Sequence, residues 1–250
     1  MTGKISDWDL PWCSADGVPN QYYKIRVRDL APAQFAVGKA EVQVRAARML
    51  KKYMKKPQHL HDYITVRPVP VVIRDDRFYL VDHHHMARAL HEALHEELGK
   101  DIRLVVEVVA NLSMLSEAHF WKTMHARNWV YLFDHFGGGP QLPQSLPEKI
   151  KDMEFDPYRS LAWIVRAHHG CLKDTAPFAE FRWANFFRER ILLSHDVLIG
   201  KHGVESTLYE VDENGRLELT DDGMELVEEA VYLSSIPEAR GLPGFRNALC

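Results

Sequence analysis

Three consecutive histidines follow an aspartate in the stretch YLVDHHHMARAL, where an apolar strand pattern gives way to a helical one. The four residues are Asp82, His83, His84 and His85. Imidazole and carboxylate groups bind metals, form hydrogen bonds to ligands and transfer protons near neutral pH. Histidines are poor helix formers and, when protonated, are unfavourable at the positive end of a helix dipole unless an anion is bound there. This junction is therefore the first candidate for a functional site.

Two interpretations of the junction do not involve an anion. In the simplest, Asp82 caps the helix and the histidines are surface polar residues. In the second, the histidines bind zinc, iron or nickel, but adjacent helical side chains point about 100° apart and cannot all converge on one ion. The residues that share a helix face with His84 are Arg88, His91 and His95. An arginine in that row disfavours a cation.

The third interpretation, which we favour on physical grounds, is an anion site. A helix that begins directly after a strand presents free backbone N–H groups and the positive end of its dipole, and both suit a phosphate. The histidines would donate to phosphate oxygens, and Arg88 adds a permanent charge one turn further on. The catalytic candidates are Asp82, His84 and His85, and the ligand-binding candidates at the junction are His83 and Arg88.

Overall composition disfavours several other classes of function. The 250 residues carry a formal net charge of -4, which gives no global attraction to nucleic acid or to an anionic membrane. The clearest basic cluster is RMLKKYMKK, from Arg48 to Lys56, which is alternatively a solvated helix end. We expect at best weak, non-specific nucleic-acid binding and no tight duplex DNA binding. The cysteines, Cys13, Cys171 and Cys250, match neither a disulfide framework nor a zinc motif. Neither a signal peptide nor about 18 consecutive apolar residues occurs, so we expect a cytoplasmic protein without a membrane partner.

The N-terminal half alternates strand and helix patterns. Residues 1–20 are polar and predict an extended arm. Strands are predicted in QYYKIRVRDL, VPVVI, FYLVD and IRLVVEVVANL, with RDDR as the turn between the second and the third. Helices are predicted over residues 37–56, stopped by Pro57, and over about residues 84–98, closed by Gly99.

The C-terminal half is mainly helical in pattern. The stretch SMLSEAHFWKTM begins with a serine cap, Ser113, and Ser116 with Glu117 beside it is a second serine at the helix start. Asp156 followed by Pro157 is a strong helix start. Further helices are predicted in PFAEFRWANFFRERIL and TDDGMELVEEAVYLS, and GGGPQLPQSLP is a loop. The order of elements predicts an α/β (α+β) protein with a small mixed sheet. After the arm we expect a first domain over residues 21–135 and a helical extension over residues 136–250, packed on it as one compact unit.

The order of motifs resembles a known family. LAPAQFAVGKAEV, then RPVPVVI, then FYLVDHHHMARAL are similar to the ParB/sulfiredoxin fold, and more narrowly to its subfamily of ParB-like nucleases. LSEAHFWKTM, WVYLFD, DPYRSLAWIVR and PFAEFRWANFFR resemble that subfamily too, so the likeness covers most of residues 22–192. The broader fold includes CTP-using partition proteins, ATP-using sulfiredoxin and free-serine kinases. The resemblance therefore implies a ParB/sulfiredoxin-like sheet that binds a small phosphorylated ligand or a nucleotide (ATP, ADP or CTP) with Mg2+.

The resemblance also implies roles for the residues of the junction. In the broader fold, an Asp-Gly-His-His-Arg-like signature starts the helix and holds nucleotide phosphates. Asp82 keeps the aspartate of this signature, and His84 and His85 keep the two histidines. His83 stands in place of the glycine and Met86 in place of the arginine. The first change crowds the backbone approach to a phosphate, and the second removes a charge.

Other ligand-binding candidates come from outside the junction. The missing positive charge would be supplied by Arg88 or by Arg67, which lies ahead of the preceding strand. In the family fold the segment QFAVGKAEV lies beside the junction, although it is not a P-loop, because it lacks the first glycine and the Ser or Thr after lysine. Its ligand-binding candidates are Gln34, Gly38 and Lys39. Glu41 is either a catalytic general base or a solvated helix residue, and both interpretations stay open.

Three functions are compatible with these patterns. The one we expect is a ParB-like enzyme that acts on a nucleotide or phosphorylated ligand at the Asp82–His85 junction, by phosphodiester hydrolysis or phosphoryl transfer. The first alternative is a histidine-based metal-dependent enzyme. The second is a nucleotide-responsive DNA-binding module of the partition type, although residues 150–250 show no evident helix-turn-helix. A structural role is also predicted for Arg159 and Glu180, as an ion pair among aromatic residues.

Overall fold

The computed structural model describes residues 9–96, 98–193 and 208–246. This part of the chain contains seven α-helices, which are α1 (Lys39–Lys55), α2 (Pro57–Thr65), α3 (His84–Leu90), α4 (Glu117–Ala126), α5 (Pro157–Ala167), α6 (Ala179–Arg188) and α7 (Asp221–Ser234). Its nine strands are β1 (Tyr22–Arg26), β2 (Leu30–Pro32), β3 (Ala36–Val37), β4 (Val69–Arg74), β5 (Arg77–Leu80), β6 (Arg103–Asn111), β7 (Glu154–Phe155), β8 (Tyr209–Val211) and β9 (Leu217–Leu219). The predicted α/β class is confirmed.

Five strands form one mixed sheet in the order β1–β6–β4–β5–β2. The β1–β6 and β4–β5 pairs are antiparallel, whereas the β4–β6 and β2–β5 pairs are parallel. The predicted hairpin is present, because β4 and β5 are joined by a turn at Asp75 and Asp76. β6 lies between two strands, and Leu104, Val105 and Val106 are buried, which explains its nearly continuous apolar sequence.

Tertiary contacts divide the chain into two compact units that are interleaved along the sequence. The sheet unit comprises the described parts of residues 1–35, 45–134 and 139–153. The helical unit comprises residues 36–44, residues 135–138 and the described part of residues 154–250. The predicted boundary near residue 135 would assign residues 36–44 to the first domain. They belong to the helical unit instead, because β3 pairs in parallel with β7. This pairing joins Ala36 to Glu154 and Val37 to Phe155, and such distant partners leave no local signal in the sequence.

The sheet unit buries an apolar cluster between the sheet and α4. Its fully or nearly buried members include Val72, Tyr79, Phe120 and Met124. The ring centroids of Tyr79 and Phe120 are 5.2 Å apart, which is within the range of favourable aromatic pairs. Of the two serines at the predicted helix start, Ser116 and not Ser113 caps α4, because its side chain accepts the backbone N–H of His119.

The helical unit has its own core, built from α5, α6 and α7. Trp183 and Phe187 of α6 stack with ring centroids 5.7 Å apart. Asp156 starts α5 as predicted, because its Oδ1 accepts the backbone N–H of Tyr158 at 2.9 Å and that of Arg159 at 3.1 Å. The helices predicted in the C-terminal half are therefore present as α5, α6 and α7.

One predicted boundary is confirmed and one is wrong. α1 ends at Lys55, before Pro57 as predicted, and Pro57 is also the first residue of α2, where the missing N–H would have no helical partner. The first predicted strand is divided into β1 and β2 by a 3-10 turn, Val27–Asp29. Pro32 lies inside β2, which is an edge strand, so its missing N–H breaks no ladder on the outer side.

The ends of two predicted elements are now defined. Residues 1–8 of the predicted arm, like Cys250, lie outside the described residues. Further along the arm, the backbone of residues 11–13 pairs with β1, and the N–H of Lys24 donates to the carbonyl of Pro11 at 2.9 Å. The helix predicted over residues 84–98 is α3 followed by a π-helical segment, His91–Glu96, and Gly99 has the left-handed φ of 62° that ends helices. No helix in the described part of the chain is long and apolar enough to cross a membrane.

Candidate functional site

The backbone between β5 and α3 has an unusual conformation. His83 has φ 64° and ψ 24°, in the left-handed region, and it is the N-cap of the helix without a side-chain cap hydrogen bond. The simplest interpretation, in which Asp82 caps the helix, is wrong, because Asp82 lies one residue before the N-cap, His83. Its Oδ1 instead accepts the N–H of His83 at 2.6 Å. The left-handed residue occupies the position where the family signature has glycine, which adopts this conformation without strain.

The junction lies at one edge of the sheet together with the segment that follows β2. β2 and β5 are parallel neighbours, and Pro32 is opposite Leu80, so both strands end at the same edge. The N–H of Ala33 donates to Nε2 of His84 at 3.1 Å and joins the two segments directly. Gln34, a predicted ligand-binding residue, follows Ala33 and is 7% exposed. Its backbone forms an isolated parallel β-bridge with Tyr131.

His84 is buried and neutral, and its catalytic or ligand-binding role stays a prediction. It is 5% exposed, and burial lowers its pKa to about 4, although Asp82 and a hydrogen bond to the backbone of Leu80 oppose this shift. Since Nε2 accepts the N–H of Ala33, the single ring proton is on Nδ1. The side chain therefore holds two chain segments together.

The exposures of His83 and His84 are the reverse of what a continuous helical pattern indicates. His83 would share a face with Met86 and Leu90 if it were helical, but its left-handed backbone turns it to solvent. Helical spacing starts one residue later, and His84 is buried instead. His85 is half-buried and Asp82 is exposed.

Arg88 lies one turn after His84 on the same buried face and is 9% exposed. Its Nε donates to Oε1 of Glu92 at 2.7 Å, and its Nη1 donates to the carbonyls of Ile150 at 3.3 Å and Met153 at 2.9 Å. A guanidinium with these partners stabilises the turn at residues 150–153. The two further residues of the predicted row, His91 and His95, stack with ring centroids 4.9 Å apart.

Arg67, the other candidate for the positive charge, is exposed just after α2. Its Nη1 donates to the carbonyl of Tyr63 at 2.7 Å, and its Cζ lies 4.0 Å from the centroid of the Tyr63 ring. These contacts are local. The role of Arg67 in ligand binding stays a prediction.

The remaining candidates, Gly38, Lys39 and Glu41, belong to the helical unit. Glu41 is 4% exposed, so the interpretation as a solvated helix residue is wrong, and its Oε2 lies 3.3 Å from Nη2 of Arg159. A Cβ on Gly38 would come within 3.0 Å of the N atom of Ser160, so glycine permits close packing on α5. Lys39 lies over the ring of Phe155, with Nζ 5.8 Å from the centroid. The role of Glu41 as a general base stays a prediction.

The predicted pair of Arg159 and Glu180 is part of a larger set of charges. Their closest N–O distance is 4.0 Å, at the limit for an ion pair, whereas Glu180 makes a shorter contact with Arg166. The sequence reasoning therefore missed Glu41 as the main partner of Arg159, and no local spacing could have shown it across more than one hundred residues. It also missed Glu92, although the spacing of four from Arg88 on a helix was a usable signal.

Within the described residues, no group of three or more His, Cys, Asp and Glu side chains is arranged to hold a metal ion. The histidines of the junction in particular point in different directions, since His84 faces the core and His83 faces solvent. The structure thus brings Gln34 and residues 82–85 to one edge of the sheet unit, where the available chemistry is that of backbone N–H groups, imidazole and one carboxylate.

The mixed sheet and the helices packed with it define an α/β protein. A family model described as "Putative ParB-like nuclease" matches residues 23–189, and the chain belongs to this ParB-like family. The crystal structure of protein Atu1540 from Agrobacterium tumefaciens is similar, with 32% sequence identity and a TM-score of 0.67. The match covers 90% of this chain and 98% of that chain. No curated protein matches the chain significantly. The family resemblance seen in the motifs is confirmed.

Proposed function

We propose that the protein is an enzyme that acts on a nucleotide or another small phosphorylated ligand at the Asp82–His85 junction. The observation that carries this proposal is the backbone there, in which the left-handed His83 is followed by a helix start without a side-chain cap. A left-handed residue beside a right-handed one turns successive N–H groups toward one side and forms a concavity that suits anions. The helix dipole adds positive potential at the same place.

The position of the junction in the sheet supports the same class of ligand. In open α/β sheets, ligands bind beyond the carboxyl ends of parallel strands, and both β2 and β5 end here. Family membership agrees with this choice, because phosphodiester hydrolysis and phosphoryl transfer both begin with recognition of a phosphate. We propose ATP, ADP or CTP as the nucleotide. Asp82 is an exposed carboxylate that fits Mg2+ carried on its phosphates, since Mg2+ usually takes one or two protein carboxylates and retains water.

The side chains of the junction have different roles in this proposal. His85 is half-buried in the first helical turn, where an imidazole can donate to a phosphate oxygen or move a proton. His84 is a positioning residue, because its ring already bonds to the backbone of Ala33 after β2 and of Leu80 at the end of β5. Asp82 fixes the N–H of the left-handed residue. The predicted cytoplasmic location remains a prediction.

Calorimetric titration of the full chain with ATP, ADP, CTP and pyrophosphate, each with and without MgCl2, tests the proposal. We expect at least one of these ligands to bind the wild type. His85→Ala should weaken binding by about tenfold, the value of one charge-assisted hydrogen bond. His83→Gly should retain binding, because glycine keeps the left-handed backbone. The matched control is His125→Ala, which removes an exposed imidazole from α4 and should change nothing.

Turnover is measured separately, by phosphate release from the bound nucleotide and by cleavage of bis(p-nitrophenyl) phosphate. Release of phosphate supports phosphoryl chemistry on the nucleotide, and cleavage of the diester supports hydrolysis. Failure of every nucleotide and of pyrophosphate to bind at millimolar concentration contradicts the proposal. If His85→Ala and His125→Ala weakened nucleotide binding equally, the junction would not be part of the binding site.

A further inference from the structure

Two arginines face each other at the closed end of the β4–β5 hairpin, in the sheet unit. Arg74, the last residue of β4, is paired in register with Arg77, the first residue of β5. Side chains directly opposite on antiparallel strands have Cβ atoms about 5 Å apart, so two like charges there repel each other. Neither arginine forms an ion pair with an Asp or Glu among the described residues. This arginine pair therefore destabilises the hairpin unless an anion lies beside it.

Each arginine lies over a different ring of the aromatic cluster between the sheet and α4. Cζ of Arg74 is 5.1 Å from the centroid of the Phe120 ring, and Cζ of Arg77 is 5.5 Å from that of the Tyr79 ring. The centroids of these two rings are 5.2 Å apart, and Trp121 packs edge-on against Tyr79 at 5.4 Å. A guanidinium that stacks on a ring presents its N–H groups sideways, in the plane of the fork. The rings therefore hold two such forks close together.

Two N–H donors of this cluster are buried without an acceptor. They are Nε of Arg74 and Nε1 of Trp121, and neither has a hydrogen-bond partner in the part of the chain that the structure describes. A buried donor without an acceptor costs free energy, so its presence in a native protein calls for a reason such as a bound ion. The arginine pair thus combines an unbalanced charge with an unsatisfied donor.

Coverage of the edge of the core explains only part of this arrangement. Arginine stems can cover apolar surface while the charged end stays in water, and the exposed Arg77 fits that description. Arg74 does not fit it, because its Nε is buried. Burial raises the pKa of the Tyr79 hydroxyl, and the charges of Arg77 and Arg74 oppose this shift. Glu117 and Asp75 add to the shift, so both carboxylates are nearby, but neither is within ion-pair distance of the arginine pair.

The turn that joins the two arginines is fixed by contacts from another segment. The backbone N–H of Asp75 donates to Oγ of Ser113 at 2.9 Å, and this hydroxyl donates to Oδ1 of Asn111 at 2.7 Å. Asn111 is the last residue of β6, which pairs with β4. The positions of the two arginines are therefore set in advance, and a ligand would have little further freedom to remove on binding.

We infer that the arginine pair binds a small dicarboxylate, with one carboxylate on each guanidinium. A planar guanidinium fork matches a planar carboxylate in a bidentate contact. The two cations lie over separate rings, so two carboxylates joined by a short carbon chain fit them better than a phosphate, whose charge is on one centre. β5 begins at the arginine pair and ends at Leu80, before the junction, so the two sites lie at opposite ends of this strand. The inference does not depend on the function proposed for the junction.

Calorimetric titration of the full chain with succinate tests this inference, with acetate and inorganic phosphate titrated at the same ionic strength. We expect succinate to bind at least about tenfold more tightly than acetate, because its second carboxylate adds a charge-assisted contact. Arg77→Gln should weaken succinate binding by about tenfold and bring its affinity close to that of acetate. Arg77→Lys should weaken it less, because lysine keeps the charge but not the planar fork. Arg77 is exposed, so both variants should keep the fold, and circular dichroism checks this.

The matched control is Arg127→Gln, which removes another exposed arginine of the sheet unit, with Cζ 5.9 Å from the centroid of the Trp129 ring. Its affinity for succinate should stay within about twofold of the wild type, because it removes no contact with the ligand. Equal losses in Arg77→Gln and Arg127→Gln would overturn the inference, as would equal affinities of the wild type for succinate and acetate. Failure of succinate to bind at millimolar concentration would overturn it too. Tighter binding of phosphate than of succinate would overturn the choice of a dicarboxylate.

Discussion

The two units bury polar side chains in opposite ways. In the sheet unit, His84 is neutral, and its ring bonds to the backbone of Ala33, just after β2, and to that of Leu80, the last residue of β5. In the helical unit, Glu41 and Arg159 are buried as an ion pair, with 4% and 5% exposure. A buried neutral group that is hydrogen-bonded costs little, whereas a buried charge depends on its partner. The stability that His84 contributes should therefore depend on pH, whereas the stability of the helical unit should fall when one charge of the ion pair is removed.

The ion pair of the helical unit is also incompletely hydrogen-bonded. Nε and Nη1 of Arg159 are buried without a hydrogen-bond partner in the described residues, whereas Nη2 carries the contact with Glu41. Buried donors of this kind cost free energy, so the pair is held in place by its surroundings more than it stabilises them. The neutral contact of His84 shows no such deficit. This difference sets the order of effects expected from substitution.

The largest effect should come from Arg159→Met. The substitution removes the cation that is paired with the buried carboxylate of Glu41, which should lower the free energy of unfolding by about 3–5 kcal/mol. The free energy of unfolding should fall less in Arg159→Met/Glu41→Leu than in Arg159→Met alone, because replacing both charges by apolar residues also removes their desolvation cost. Urea denaturation measures both variants.

The control for this prediction is Arg216→Met, which removes an arginine with a 75% exposed side chain that lies 3.7 Å from Glu218. Surface pairs contribute little, so its free energy of unfolding should stay within about 0.5 kcal/mol of the wild type. If the double variant were as unstable as the sum of both single variants, Glu41 and Arg159 would not be coupled.

A smaller effect should distinguish His84 by its dependence on pH. The pKa of His84 is about 4 in the folded protein and about 6.5 in the unfolded chain, so the unfolded chain takes up the proton first as the pH falls. The stabilisation is complete above pH of about 6.5 and is lost as the pH falls toward about 4. Between pH 7.5 and 5, His84 alone should account for a loss of about 2 kcal/mol.

This loss is measured as the difference in pH dependence between the wild type and His84→Gln. A glutamine oxygen can still accept the N–H of Ala33 but does not titrate. Between pH 7.5 and 5, the free energy of unfolding of the variant should therefore fall by about 2 kcal/mol less than that of the wild type. His125→Gln, in which an exposed imidazole is replaced, should keep the wild-type dependence. If the free energy of unfolding depended on pH in the same way in the wild type and in His84→Gln, His84 would not be held neutral by burial.

The same comparison shows what the sequence could and could not predict. Most strands and helices and the cap at Asp156 follow from local patterns and are present, but the first predicted strand is divided, and α2, β8 and β9 were not predicted. The interleaving of the two units does not, because it depends on β3 pairing with β7 about 120 residues away. A parallel pair of two residues has no turn chemistry or periodicity that marks it.

At the candidate site, the sequence identified the junction but not the direction of its side chains. Helical spacing assumed that His83 was already helical, and one left-handed residue exchanged the exposures of His83 and His84. The partners of Arg88 are carbonyls of residues 150–153, which every residue type offers equally, so no side-chain pattern could reveal them. The burial of His84, which makes it a neutral contact between the backbones of Ala33 and Leu80, was not visible in the sequence either.

The smallest effect should come from His83→Gly, which tests whether the conformation of the junction is strained. A residue with a side chain is less stable in the left-handed region than glycine, but glycine also gains freedom in the unfolded chain. The two effects oppose each other, and the net result should be a rise of about 0.5–1 kcal/mol in the free energy of unfolding. His83→Ala should give no such rise, because alanine keeps the Cβ and the strain. His169→Gly, at another residue with a positive φ of 65°, measures the same effect away from the junction. A stabilised His83→Gly that still binds nucleotide would mean that the backbone holds the ligand, whereas a destabilised one would mean that the imidazole makes contacts that outweigh the strain.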